Sequence, residues 1–341
     1  YGSSAVLTAD IDLGDYEWTP IGGQQFKEAY SGSFDGQGHT ISGLHIDNGD
    51  ANYQALFSYI ANSTISRLTV EGTVRGRQYV AGIVGLQDEE STTDRCVNHV
   101  KVIATYGVAG GVVSHHNAWS ATTSNCINLT TITAPSLAGG VVGSNFITSH
   151  VYHCLGIGEV VANSAHGACV GGNGSKDNVS DNYGTHEYAI TGGQTLVTEE
   201  QLRSGEVAWL LGEAFGQNLG TEPDAAVADT IPVIDGMKVF KVIYTSISAA
   251  EAASLYTNGT LPTHDATGNW ELTWRTAPDG EVITKVTTDS TLYAELKDVS
   301  GVKEISNDPR AIVGNQPTYD LTGHRVSSNA KHGIYIRNGK K

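Results

Sequence analysis

Four segments of this chain decide its fold: Val80-Ala81-Gly82-Ile83-Val84-Gly85, Ala109-Gly110-Gly111-Val112-Val113-Ser114, Ala138-Gly139-Gly140-Val141-Val142-Gly143 and Gly167-Ala168-Cys169-Val170-Gly171-Gly172. One column through them holds Ile83, Val112, Val141 and Cys169, at spacings of 29, 29 and 28. A second column holds Gly85, Ser114, Gly143 and Gly171 at the same spacings. A downstream column runs through Cys96, Cys126, Cys154 and Tyr183 at 30, 28 and 29. Independent columns that keep one period mark an internal repeat. In a looser form the unit extends backwards through Thr64–Val70 and Thr40–Ile46, whose first positions differ by 24. That makes about six turns between Leu13 and Tyr183.

Within each unit the apolar runs are short and β-branched, as in Val100-Lys101-Val102-Ile103 and Thr130-Thr131-Ile132, and Gly, Asn, Ser or Asp interrupts them. No run carries a 3.6-residue stripe long enough for a helix, so the units read as strands joined by turns. A period of 28 to 30 with inward rows of Val, Ile and Cys describes one coil of a β-solenoid. Composition agrees with this reading. Gly is 41 of 341 residues, about 12% against a usual ~7%, while charged residues are 16% against a usual ~25%. Small residues serve the bends, and long charge-laced helices are excluded.

Charge narrows the partners. Lys plus Arg is 20 and Asp plus Glu is 36, a formal charge of −16, and no basic run occurs before Lys340-Lys341. Nucleic acid is therefore not expected as a partner, because phosphate binding needs clustered cations. No window approaches the ~18 apolar residues of a membrane span. Tyr1 opens in polar, strand-like sequence, and an export signal is expected to have been removed. The four cysteines lie far apart with no CxxC, which argues against a zinc ribbon or a dithiol redox centre.

The Gly-Val-Val-Gly-type segment followed by a Cys-Ile-Asn-like segment resembles the GLUG repeat of bacterial surface proteins. The lead-in also resembles the opening of such arrays, with Trp18-Thr19-Pro20-Ile21-Gly22 and then Ser33-Phe34-Asp35-Gly36-Gln37-Gly38-His39-Thr40-Ile41. The resemblance covers roughly residues 5 to 185 and implies a right-handed parallel β-helix in an adhesin-like or otherwise surface-displayed protein. It does not imply an activity. Some such arrays carry a zinc peptidase, but the HExxH that this chemistry requires is missing: His186-Glu187 is followed by Ile190 where the second His would stand.

The expected division is a β-helix over 1–188, a closing segment over 189–237, a small β-rich module over 238–298 and a terminal β segment over 299–341. Thr198 to Leu211 is the one good helix candidate, with Thr198 and Gln201 in a capping-box pattern and Leu202, Val207, Leu210 and Leu211 near one face. It is expected to cover the open last coil. The Thr287–Ala294 stretch resembles the end of an internalin-type B repeat. Tyr319 to Lys341 resembles the sorting tail of secreted Bacteroidetes proteins and reads as two or three short strands.

Candidate chemistry is sparse. Cys96, Cys126 and Cys154 share a column with Leu68 and Tyr183, and Cys169 shares one with Ile83, Val112 and Val141, so all four read as a packed structural ladder of free thiols. Histidines gather at His99, His115, His116, His150 and His153. His153 falls in a column with Arg67, Arg95, Asn125 and Asn182, read as an outward polar strip. Arg95, His116, Trp119 and His153 are the candidate ligand-binding residues, with Tyr30, Tyr53 and Tyr79 as further aromatics able to stack on sugar. No catalytic set is assigned. Calcium is considered for Asp47, Asp50, Asp88, Glu89, Glu90 and Asp94, and solvated loop charge is the preferred reading because no calcium-loop pattern supports the ion. No cofactor and no structural metal are expected.

The function expected is that of a secreted, cell-surface, adhesin-like monomer that binds host glycans or matrix glycoproteins without turning them over. The alternatives are a carbohydrate-active β-helix enzyme, either a polysaccharide lyase or a glycoside hydrolase, and a spacer that only carries its C-terminal modules.

Overall fold

The computed structural model describes residues 2–117, 120–146, 148–173, 178–186, 188, 194–222, 227–246, 252–264, 269–299, 318–319 and 325–326. Two compact units comprise the chain: Tyr1–Glu200 with Leu210–Ala214, and Gln201–Trp209 with Phe215–Lys341.

The first unit is a parallel β-solenoid of about six coils. A coil crosses four faces in turn, here named A to D: Thr92–Asp94 on face A, Val97–Ala104 on face B, Val108–Gly110 on face C and Val113–His116 on face D. Each segment hydrogen-bonds in parallel to its counterpart one coil away, which builds sheets of seven, ten, four and five strands among the described residues. The register keeps the period of the sequence. Val84, Val113, Val142 and Val170 pair in series on face D, and Val97, Ile127, Leu155 and Tyr183 on face B. Ile83, Val112, Val141 and Cys169, each one residue before the face D series, form a row with 0% exposure.

In the last coil the register corrects the sequence alignment by one residue. Tyr183 pairs with Leu155, so Cys154 lies level with Asn182, whose Oδ1 accepts from the Cys154 backbone N–H at 2.9 Å. The column of cysteines therefore continues into Asn182, and Tyr183 belongs one place further along the strand.

Coil spacing is set by what can lie between neighbouring backbones. At Gly111 an added Cβ would lie 2.0 Å from the Gly140 carbonyl oxygen, and at Gly140 only 1.8 Å from that of Ala168. Parallel strands stack ~4.8 Å apart, which leaves no room there for a methyl group. The same column ends in Ala168, in the last coil to carry face C and D strands. The interior is filled by aliphatic rows, with Leu44, Ile65, Leu68, Ile83 and Ile132 all 0 to 1% exposed. Each such burial contributes about 1.5–3 kcal/mol.

The expected helix is two short helices, Glu199–Arg203 and Glu206–Leu211. Gly205 breaks it with a left-handed φ of +86°. Leu202, Val207 and Leu211 are buried, as their shared face predicts.

In the second unit a five-stranded sheet runs in the order Ala252–Thr257, Phe240–Ser246, Ser290–Asp298, Trp270–Arg275, Val282–Ile283. The second and third strands pair in parallel and the other neighbours are antiparallel. Alternation puts Val242, Tyr244, Leu272, Trp274, Leu292 and Ala294 into one core. Trp209 is tied to this sheet by its Nε1–H, which donates to Asp289 Oδ2 at 2.9 Å, and by the Lys241 ammonium, 4.4 Å from its ring centroid. In the expected terminal segment, Thr318–Tyr319 pairs antiparallel with Arg325–Val326, and apart from Val299 the rest lies outside the described residues.

Candidate functional site

The polar strip expected around His153 is the corner between faces A and B. Arg67, Arg95, Asn125, His153 and Asp181 occupy it in successive coils, all with φ between +50° and +53°. The last member is Asp181 rather than Asn182, by the same one-residue shift. Asn182 instead turns inward, 1% exposed, and its Nδ2 donates to the Val151 carbonyl. One left-handed residue per coil turns the chain from one face to the next, a conformation that Asn and Asp adopt readily and Arg and His adopt at some cost. The basic side chains at this corner lie beside carboxylates. Arg67 Nε donates to Asp35 Oδ1 at 3.0 Å, Arg95 Nε lies 4.0 Å from Asp94 Oδ2, and His153 Nε2 lies 3.8 Å from Asp181 Oδ2. Arg95 and His153 thus share a column, two coils apart.

His116 is not a surface ligand. It is 0% exposed, with Nδ1 2.6 Å from Asn145 Oδ1 and Nε2 2.8 Å from Thr123 Oγ1. Its counterparts in adjacent coils are Gln87 and Asn145, both buried. Gln87 Nε2 donates to the Ser91 and Thr122 carbonyls, and Asn145 Nδ2 to that of Ser149. This interior polar row satisfies backbone carbonyls where each coil leaves face D, as buried polar groups require. Burial holds His116 neutral and lowers its pKa to about 4.

All four cysteines are free and fully buried. Cys96, Cys126 and Cys154 each donate Sγ–H to the carbonyl two residues earlier, at 3.3, 3.0 and 3.3 Å. Burial raises the Cys126 and Cys169 thiols well above their ordinary value. A thiol that does not ionise is neither a nucleophile nor a ready metal ligand.

The outer side of face D, in the second and third full coils, carries a cluster that no periodicity indicated. Tyr53 and Tyr79 stack with centroids 5.2 Å apart and planes 14° apart, and His115 continues the stack 5.2 Å from Tyr79. Both tyrosines have left-handed φ, +57° and +59°. Tyr59 donates its hydroxyl to Asp88 Oδ2 at 2.5 Å, and Asn117 Nδ2 donates to the same oxygen at 3.0 Å. Asp88 is 5% exposed, whereas its neighbours Glu89 and Glu90 are exposed. Desolvation, then the bond to Asp88, raises the Tyr59 phenol. Desolvation lowers His115 to about 4, against the opposing charge of Asp88.

Among the described residues, the Tyr53 and Tyr79 hydroxyls have no hydrogen-bond partner, and neither has the solvent-shielded His115 Nδ1. The Tyr79 ring is stacked against both Tyr53 and His115, so this patch presents the tyrosine hydroxyl edges, while Asp88 is buried. Tyr30, expected among the exposed aromatics, is 6% exposed and its hydroxyl donates to the Ser3 and Ser33 carbonyls. Trp119 lies outside the described residues. Asp47 of the acidic set pairs with Arg75 at 2.9 Å. Among the described residues, no group of three or more His, Cys, Asp or Glu is placed to hold a metal ion.

No family model matches the chain. A stretch of 123 residues is 29% identical to halomucin from Haloquadratum walsbyi, covering 25% of this chain. The chain spans 1% of the length of that curated relative. Among solved structures, a "putative immunoglobulin A1 protease" from Bacteroides ovatus aligns with 69% of this chain and 86% of its own, at 16% identity and a TM-score of 0.44.

Proposed function

We propose that the chain is a non-enzymatic, adhesin-like protein of the cell surface or extracellular space, whose β-solenoid displays the outer side of face D to glycans or glycoproteins. The observation that carries this reading is the pair of hydroxyls on half-buried Tyr53 and Tyr79, preset by ring stacking and without a hydrogen-bond partner among the described residues. Rigid phenols lose little side-chain entropy on binding and offer both a donor and an acceptor. Their left-handed backbone is a local strain, of order 1–3 kcal/mol per residue, that the stack offsets.

The test is binding of the full chain to a glycan and matrix-glycoprotein array, beside a Tyr53→Phe/Tyr79→Phe variant. Phe keeps the stack and deletes only the hydroxyls. Two lost hydrogen bonds at about 1 kcal/mol each weaken binding by roughly thirtyfold. Binding by the variant equal to that of the parent removes this site from the reading.

A carbohydrate-active enzyme is the second reading, favoured by the same patch because Tyr59, Asp88 and His115 bring an acid, a carboxylate and a neutral imidazole together. It requires shortened or unsaturated products from a polysaccharide, and their loss on His115→Ala. A pure spacer requires ligand binding to survive deletion of residues 5–185.

A further inference from the structure

We propose that the ligand of the face D surface is an uncharged, hydroxyl-rich glycan, and that the surface discriminates against uronates, sulfated sugars and other polyanions. This rests on the reading of that surface as a glycan site and names the ligand class it selects.

The hydrogen-bonding groups fit sugar hydroxyls. Tyr53 and Tyr79 each offer a hydroxyl that can donate and accept. Asp88 is held in place by three donors, the Tyr59 hydroxyl, the Asn117 amide and the Glu89 backbone N–H, and a carboxylate has about four acceptor positions. Asp88 is itself 5% exposed, so it fixes Tyr59 and Asn117 and leaves the two phenols to meet the ligand.

The charges around it act the same way. Asp88 is followed by exposed Glu89 and Glu90, and Asn62 orients Glu89 through a 2.9 Å bond to Oε2. The cation nearest the tyrosines in sequence is Arg77, whose guanidinium lies 4.9 Å from the Tyr106 ring centroid and whose Nη1 donates to Asn52; it keeps its charge but its position is fixed by those two contacts. At the corner between faces A and B, Arg67 and Arg95 sit beside Asp35 and Asp94. A polyanion therefore meets the exposed carboxylates Glu89 and Glu90 on a chain of net charge −16, and among the described residues no Arg is seen forming a bidentate clamp beside the two tyrosines. At roughly 8 Å in water-like dielectric, each exposed carboxylate weakens an anion by about two- to threefold, so the two together give about fivefold at low salt.

The experiment measures the full chain against pairs that share a backbone and differ in charge, including dextran with dextran sulfate and fully methyl-esterified polygalacturonate with polygalacturonate, by affinity electrophoresis at low and high salt. The expected result is that the polymers bound are neutral. Each anionic counterpart binds about fivefold more weakly, or not at all, at low salt, and the gap narrows at ~0.5 M salt. A Glu89→Gln/Glu90→Gln variant keeps its neutral ligand and regains about fivefold toward the anionic one. An anionic polymer that binds as tightly as its neutral partner overturns the ligand class while leaving the surface a glycan site. A chain that binds no polymer of either kind overturns the glycan reading itself, and this proposal with it.

Discussion

Lowering the pH from 7 to 4.5 should destabilise the β-solenoid through one interior side chain, His116. The native imidazole is buried between Asn145 and Thr123 and protonates only near pH 4, against an ordinary value of 6.5. Between those values the unfolded chain holds a proton that the native chain does not, so stability falls as the pH drops through that window and is fully present above it. At pH 4.5 the loss from this one group is about 2.5 kcal/mol, a large part of the ~5–15 kcal/mol that holds a domain together. The informative variant is His116→Gln. Gln87 and Asn145 occupy the same row in adjacent coils, so an amide fits the position and does not titrate. Urea unfolding can be read at both pH values by labelling thiols with a dithiodipyridine reagent, which reacts in acid. All four cysteines lie in the interior of this unit, so the readout reports on it alone. Groups that do not interact with His116 contribute equally to parent and variant and cancel, which leaves the comparison to His116 and its interactions with His115 and His150. The difference in pH sensitivity between the two proteins should be about 2 kcal/mol or more. A variant whose stability falls in parallel with the parent, within ~0.5 kcal/mol, refutes the reasoning.

Three further outcomes are expected. Gly140→Ala should cost about 1–3 kcal/mol in a thermal melt, because its Cβ would lie 1.8 Å from the Ala168 carbonyl oxygen, whereas Gly172→Ala, 3.1 Å from the flexible Leu137 side chain, should be much milder; equal melting temperatures count against the coil-spacing argument. None of the four native thiols should react with a thiol reagent at pH 8 faster than the unit unfolds, since all are 0% exposed; rapid modification of Cys126 contradicts the packed-ladder reading. Trp209→Phe should destabilise the second unit by about 1–2 kcal/mol through loss of the Asp289 hydrogen bond and a weaker contact with Lys241, and hydrogen exchange in Phe240–Ser246 is the measure; unchanged protection there removes that clamp from the account.

The solenoid and most of its register follow from the residues themselves. A parallel stack pairs each coil with the next over its full length, so an insertion in one coil disturbs both neighbours, and the period is written into the sequence as columns such as Ile83, Val112, Val141 and Cys169. The thiol ladder is readable for the same reason, because Leu68 shares its column with cysteine. The columns do not say where the chain turns. Arg95 and His153 read from the sequence as members of an outward strip, and they stand at a left-handed corner beside their own carboxylates. His116 follows His115 by one residue, and only the local pleat decides that one faces the interior row and the other the Tyr79 ring.

The face D patch is out of reach of any column. Tyr53 and Tyr79 are equivalent left-handed corners of adjacent coils, Tyr53 N–H donating to the Gln78 carbonyl, but their offset is shorter than the 28-to-30 period that the sequence columns keep. Tyr59 does meet Asp88 one period away, in the adjacent coil, but no repeated residue type marks that pairing. The sequence alone determined the repeat, the β-solenoid class, the inward apolar rows, and a charge balance that argues against nucleic acid. Tertiary structure alone decided which hydroxyls and carboxylates converge on one surface. Periodicity reports the spacing that strand pairing demands of the backbone, whereas a site depends on which way individual side chains leave that backbone at its corners.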